Sequence, residues 1–304
     1  MDVKNRCVLI TGGTGFLGKR IADKCRKEGA RVVSWGSKIV DLRDRATTIQ
    51  AFRETAPEIV FHAAVQGGGI GWMSKNQVIS GQDNIRINLN TLEAASLCGT
   101  KKFIGVSSAC AYPKMCPPPF IEEDLWNGFP EPANGSYALS KRIMMDLGRA
   151  YSKERGLDCA FPILANLYGP GDAIDDTRAH VVADLMMRVQ KRPKKLTVWG
   201  SGKPTREFLY IDDAVDGILA CINAPAGEMI NIGSGVETSI SSLAKHILAA
   251  FDHRAPVVLD RTKPDGQPRK VLSTQKAATV LGWQAQTDLI DGLKLTARWY
   301  EESM

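Results

Sequence analysis

The chain has 304 residues, 44% of them hydrophobic, enough to bury a large core in one main body with a smaller lobe. Its net charge of +6 is mild and not gathered into a stripe, and the basic run RVQKRPKK at 188–195 reads as a solvated helix end, so no nucleic-acid partner is expected. No apolar run reaches membrane-spanning length, the start MDVKNRCVLI lacks the apolar core of a signal peptide, and seven scattered cysteines without a CxxC pair and only four histidines argue against a disulfide framework or a metal centre; a cytoplasmic protein is expected.

The first readable unit is CVLITGGTGFLGKRIADKCRKEGARVVSW: an apolar strand from Val8 to Ile10, a glycine turn, an amphipathic helix and a second strand from Arg31 to Trp35. This is the pattern of a dinucleotide-binding βαβ unit. Gly12 permits the tight turn, Gly15 lets the backbone approach a pyrophosphate, and Gly18 lets helix and strand pack closely. Phe16 and Leu17, between the last two glycines, are counted with them as cofactor contacts. The second strand ends in SWGSK, which lacks the acid that would hold the ribose hydroxyls of NAD. Ser34, Ser37 and Lys38 suit a 2'-phosphate instead, so NADP(H) is the expected cofactor. Asp41 comes late for a ribose ligand and is placed against the adenine.

Strand and helix signals then alternate: EIVFHAA, a helix around INLNTLEAASLC, KKFIGVSSAC, a helix from Tyr137 to about Glu154, and CAFPILANLYGPG. Ala63 and Ala64, at the end of the first of these, join the cofactor contacts. The expected fold is α/β, a Rossmann-type doubly wound parallel sheet. After Gly171 the regularity breaks into a polar loop GDAIDDTRAH, a helix, a hairpin-like LTVWGSGKPTREFLYIDD and a mixed region from about Val236. Residues 1–165, with 210–235 returning to them, are assigned to the dinucleotide-binding body; 166–209 and 236–304 form the smaller lobe.

Tyr137 and Lys141 are one helical turn apart, so their side chains leave the same face. A phenol keeps its proton to about pH 10, and a neighbouring ammonium is expected to bring it toward the range of a general acid/base. Ser108, at the end of the preceding strand, supplies a hydroxyl to hold a substrate oxygen.

With these residues in place the chain resembles an extended short-chain dehydrogenase, and within that group it is similar to the GDP-L-fucose synthases. The likeness runs nearly end to end, through HAAVQGGGI, SSACAYPK, YALSK, NLYGPGD, RAHVVADLMMR, WGSGKPTREFLYIDD, NIGSG and KPDGQPRK. It implies 3,5-epimerisation and NADPH-dependent 4-reduction of GDP-4-keto-6-deoxy-D-mannose. Inverting a centre beside a ketone needs an acid and a base on opposite faces, and the resemblance supplies Cys110 and His180 for them. It also implies that Asn166, Trp199, Arg206 and Lys263 line a GDP-sugar cleft, and that two chains pair through the helices around 84–98 and 137–154. Gly67 before GGI, the loop GWMSKNQ and Ser136 before the tyrosine depart from the family's pattern, all around the sugar pocket. Two other readings are another GDP-sugar epimerase, dehydratase or 4-ketoreductase with the same Ser-Tyr-Lys group, and a non-catalytic dinucleotide sensor, against which the retention of Tyr137 and Lys141 argues.

Overall fold

The computed structural model describes residues 1–172, 179–263 and 265–303. Val8, Leu9 and Ile10 are all fully buried. A strand apolar on both faces belongs in the middle of a parallel sheet covered by helices. β1 (Cys7–Thr11) is flanked accordingly by β2 (Arg31–Trp35) on one side and β3 (Ile59–His62) on the other. β4 (Lys102–Gly105), β5 (Ser107–Ser108), β6 (Asp158–Leu164) and the strand Glu228–Ile232 extend the sheet, with every pairing parallel. Among the described residues it has seven strands.

The helices of this body are α1 (Phe16–Lys27), α2 (Arg45–Thr55), the short α3 (Ile70–Lys75), α4 (Gln77–Leu97) and α5 (Gly135–Arg155). α1 buries Ile21, Ala22 and Cys25, the apolar face expected from its periodicity. Asp44 caps α2, its carboxylate accepting the Thr47 N–H at 2.7 Å. α4 and α5 pack on each other.

A second core gathers Leu185, Met186, Leu196, Phe208, Leu243, Ile247 and Leu293. These come from α6 (Val181–Gln190), α8 (Ile240–Ala250) and α9 (Leu289–Glu302) and from two small sheets. In chain order the strands are β7 (Asn166–Tyr168), β8 (Leu196–Trp199) and β9 (Thr205–Tyr210), then β10, which is the strand Glu228–Ile232 already placed, β11 (Glu237–Ser239), β12 (Val257–Asp260) and β13 (Arg269–Lys270). β7, β11 and β13 pair with β9, and β8 pairs with β12. Between β9 and β10 the chain forms α7 (Ile211–Ala220), whose Ala214, Val215 and Ile218 return to the first core. On this change of cores we propose the division into a body of 1–165 with 210–235 and a lobe of 166–209 with 236–304.

The expected hairpin between β8 and β9 does not form. Gly200 and Gly202 both take left-handed backbone, at φ +74° and +68°, and the Ser201 N–H donates to the Asp265 carboxylate at 2.6 Å. The turn therefore carries β9 into another sheet. No helix among the described residues is long and apolar enough to cross a membrane.

Candidate active site

Because β2 and β3 leave β1 in opposite directions, the strand order reverses there and a crevice opens at the carboxyl ends of β1 and β3. Gly12 lies in it at φ +68°, and a Cβ at that position would come within 2.8 Å of the Ala63 carbonyl and the Ala64 nitrogen. Glycine is required there both for the turn and for the close approach of the two chain segments. The Gly13 N–H donates to the Trp35 carbonyl at 2.9 Å, tying the turn to β2. Gly15 precedes α1 without a capping side chain, leaving the first turn, which carries Phe16 and Leu17, open to a phosphate. A Cβ on Gly18 would collide with the Gly12 carbonyl.

Beneath Gly13, the Ser34 hydroxyl is buried without a hydrogen-bond partner. This orphaned hydroxyl and the all-backbone cradle fit a dinucleotide. Ser37 and Lys38 are exposed in the turn after β2. Asp41 is held by Arg43 through two hydrogen bonds of 2.8 Å, and Arg43 reaches Asp83 at 3.3 Å. Those bonds from Arg43 keep the Asp41 carboxyl below the usual range.

Ser108 ends β5, and its Oγ accepts the Cys110 N–H at 3.2 Å. Tyr137 and Lys141 stand one turn apart on α5, with the Lys141 Nζ 5.9 Å from the centre of the Tyr137 ring. Lys141 donates to the Val106 carbonyl at 2.7 Å, and burial brings its ammonium down to about 8. Burial and the charge of Cys110 push the Tyr137 phenol up, against a hydrogen bond with Ser108. The lowering of the phenol by Lys141 expected from their spacing is therefore not what this arrangement produces: the ammonium is turned to Val106, and desolvation dominates.

Cys110 is half-buried. Burial disfavours its thiolate, but the Lys270 charge and hydrogen bonds with Ser108, Lys270 and Asn134 outweigh that and bring the thiol below its ordinary value. The Lys270 Nζ donates to Cys110 Sγ at 3.4 Å. His180 is exposed and stands just before α6 as its N-cap residue. Residues 173–178 of the polar loop lie outside the described residues.

The glycine turn, the Ser108–Tyr137–Lys141 group and their sheet coincide with a match to the model of the NAD dependent epimerase/dehydratase family over residues 8–233. The chain belongs to that family. It is similar to GDP-L-fucose synthase 1 of Arabidopsis thaliana, with 33% identity over 99% of this chain and 94% of the relative. It is also similar to a solved GDP-L-fucose synthetase from Naegleria fowleri bound to NADP, with 32% identity and TM-score 0.89 over 100% of this chain and 95% of the other. A GDP-6-OMe-4-keto-L-xylo-heptose reductase from C. jejuni, 23% identical with TM-score 0.92 over 100% and 99% of the two chains, shares the fold.

Beyond residue 165, one of the expected substrate residues, Arg206, comes within electrostatic reach of Cys110, Asn166 is tied to the same strand, and Trp199 and Lys263 stay at the surface. Arg206 on β9 donates to the carbonyls of Thr205 and Gln267, both at 2.7 Å. Burial lowers its guanidinium while the charge of Cys110 raises it. Asn166 is tied to the same strand, its Nδ2 donating to the Glu207 carbonyl at 2.8 Å. Trp199 is 63% exposed at the end of β8, and the Lys263 ammonium sits 5.7 Å from the centre of its ring, within range of a cation–π attraction.

Several residues at or behind the site are given no role by the sequence reading. Lys270 and Asn134 reach Cys110. Arg142, next to Lys141, donates to the Ala111 carbonyl at 2.7 Å and to the Gly128 carbonyl at 2.8 Å, fixing the turn after Cys110. His62 accepts from the Thr11 hydroxyl at 2.8 Å and bonds Asn88 at 3.0 Å, and Asn88 donates to the Ser140 carbonyl at 3.1 Å. This buried chain joins the strand of the glycine turn to the helix of Tyr137. Lys270 was within sequence reach, as the last residue of KPDGQPRK.

Proposed function

We propose that the chain is an NADPH-dependent 3,5-epimerase and 4-reductase acting on GDP-4-keto-6-deoxy-D-mannose, with GDP-L-fucose as the product. The observation that carries the reading is Cys110: a thiol with a cation at 3.4 Å, two residues beyond the Ser108 hydroxyl and facing Tyr137. Reduction of a ketone requires no such thiol. Removal of a proton beside the ketone needs a base, which such a thiol supplies as its thiolate.

Ser108 and Tyr137 hold O-4 of the ketosugar, which acidifies the hydrogens on C-3 and C-5. Cys110 takes a proton from one face, and His180 returns one to the other. Gly12, Gly15, Phe16, Leu17, Gly18, Ala63 and Ala64 would hold NADPH, with Ser37 and Lys38 toward its 2'-phosphate, and the bound cofactor would supply the hydride for C-4. Tyr137 delivers the proton to O-4; its raised pKa keeps that proton in place until charge develops on the oxygen. Lys141 orients the nicotinamide ribose, and Arg206 neutralises the diphosphate.

A homodimer through α4 and α5 belongs to this reading. Ile79 and Leu89 on α4 and Leu139 and Ile143 on α5 are exposed apolar residues on adjoining helices, which supports it.

The test is incubation with GDP-4-keto-6-deoxy-D-mannose and NADPH, following NADPH absorbance and identifying the product's stereochemistry by NMR. In D2O the wild type should incorporate deuterium at C-3 and C-5, and Cys110→Ser or His180→Gln should slow this about 100-fold or more. NADPH oxidation without deuterium incorporation would instead mark a simple 4-ketoreductase, and no oxidation at all would point to a different GDP-sugar.

A further inference from the structure

We propose that Lys270 is a catalytic residue: its ammonium holds Cys110 as the thiolate that abstracts the proton beside the ketone. The proposal rests on the epimerase reading and deepens it by assigning the residue that prepares the base.

Placement is the first argument. β13 has only two residues, pairing in parallel with β9 so that Lys270 lies opposite Arg206. A two-residue strand is weakly fixed by its own ladder, and this one is secured from the next residues. Glu207, fully buried, accepts the Leu272 N–H at 2.8 Å and the Gly235 N–H at 2.6 Å. The Phe120 N–H donates to the Val271 carbonyl at 2.8 Å, and the Ser273 N–H to the Phe120 carbonyl at 2.9 Å. Lys270 is thus presented to Cys110 by backbone anchored on two sides.

Its neighbour shows the contrast. Alternation along the strand turns Arg269 the other way, where it pairs with Glu237 at 2.7 Å. Among the described residues no carboxylate pairs with Lys270, and its bond is to sulfur. The titratable and charged groups facing Cys110 are Lys270 from β13, Arg206 from β9 and Tyr137 from α5. Two are cations. A cysteine beside lysine or arginine has its thiolate favoured, and the thiolate is the form that can act as a base.

The step then balances. The carbon–hydrogen bond beside C-4 breaks, an S–H bond forms on Cys110, and the electron pair moves into an enolate whose oxygen is held by Ser108 and Tyr137. Proton return to the opposite face restores the ketone. The Cys110 thiol releases its proton to solvent, and Lys270 stays protonated throughout. A negative Cys110 also raises the Tyr137 phenol, so the same thiolate keeps on Tyr137 the proton needed later at O-4.

The experiment is alkylation of the native enzyme by iodoacetamide across a pH series, with the Cys110 peptide quantified by mass spectrometry apart from Cys98, the other half-buried cysteine. Wild-type Cys110 should react with a midpoint below the value of about 8.5 for a free thiol. Lys270→Met should move the midpoint up and slow labelling about tenfold or more near neutral pH, Lys270→Arg should restore it, and deuterium exchange into the ketosugar should follow the same order. A wild-type midpoint at or above the free-thiol value overturns the proposal without any variant, as does an unchanged profile in Lys270→Met. Because labelling uses no sugar, a shifted profile in Lys270→Met with no deuterium exchange by the wild type would overturn the substrate reading instead.

Discussion

His62 is fully buried, and burial, with the charge of Lys141 adding to it, holds its imidazole down to about 3 against the bond to Asn88. The Asn88 amide donates to the Ser140 carbonyl, so its oxygen faces His62. The imidazole therefore carries its proton on Nε2 and accepts from the Thr11 hydroxyl on Nδ1. Both ring nitrogens are satisfied only in the neutral form. In the unfolded chain the same histidine binds a proton near 6.5. Between about pH 6.5 and about pH 3 the unfolded state thus holds one more proton, and stability falls as pH falls, by about 1.4 kcal/mol per pH unit. From about pH 8 to about pH 5 the loss from this one group is roughly 2 kcal/mol. Glu122 and Glu207, both pushed up by burial, act in the opposite direction and must be cancelled by comparison. His62→Gln does so: it keeps hydrogen-bonding capacity, removes the titration and leaves both glutamates in place. Urea unfolding at each pH, extrapolated linearly, should show the wild type losing about 2 kcal/mol more than His62→Gln over that interval. Curves parallel within about 0.5 kcal/mol would show that His62 is protonated in the folded protein and that Nδ1 donates to Thr11 rather than accepting from it.

If Lys38 neutralises a 2'-phosphate, the wild type should use NADPH about tenfold more efficiently than NADH, and Lys38→Ala should shrink that advantage by most of the factor, the worth of one charge-assisted hydrogen bond. Equal use of both cofactors by the wild type would remove the argument from SWGSK. Light scattering at micromolar concentration should give twice the chain mass, and Ile143→Asp on the exposed face of α5 should return a monomer; a monomeric wild type would refute pairing through α4 and α5.

What could be read from sequence divides by distance along the chain. The glycine turn was legible because every requirement at Gly12, Gly15 and Gly18 is local: a left-handed residue, a bare helix start and a helix packed on its own strand. Ser108, Tyr137 and Lys141 were legible for a related reason, since a strand end and one helical turn fix them. The charge balance they create was not. It depends on where Lys141 finds an acceptor, and that is Val106, on a segment met only after folding. GSG between two strand-like runs imitates a hairpin signal, and the competing partner, β12, lies some sixty residues on. Within KPDGQPRK the sequence offered two lysines with nothing local to separate them. The first rests on an exposed tryptophan. The second reaches Cys110 because a buried glutamate on β9 takes the N–H two residues beyond it. A residue whose role is conferred by such a long-range anchor has no signature of its own, and its functional weight becomes visible only once the anchoring carboxylate is seen to be buried.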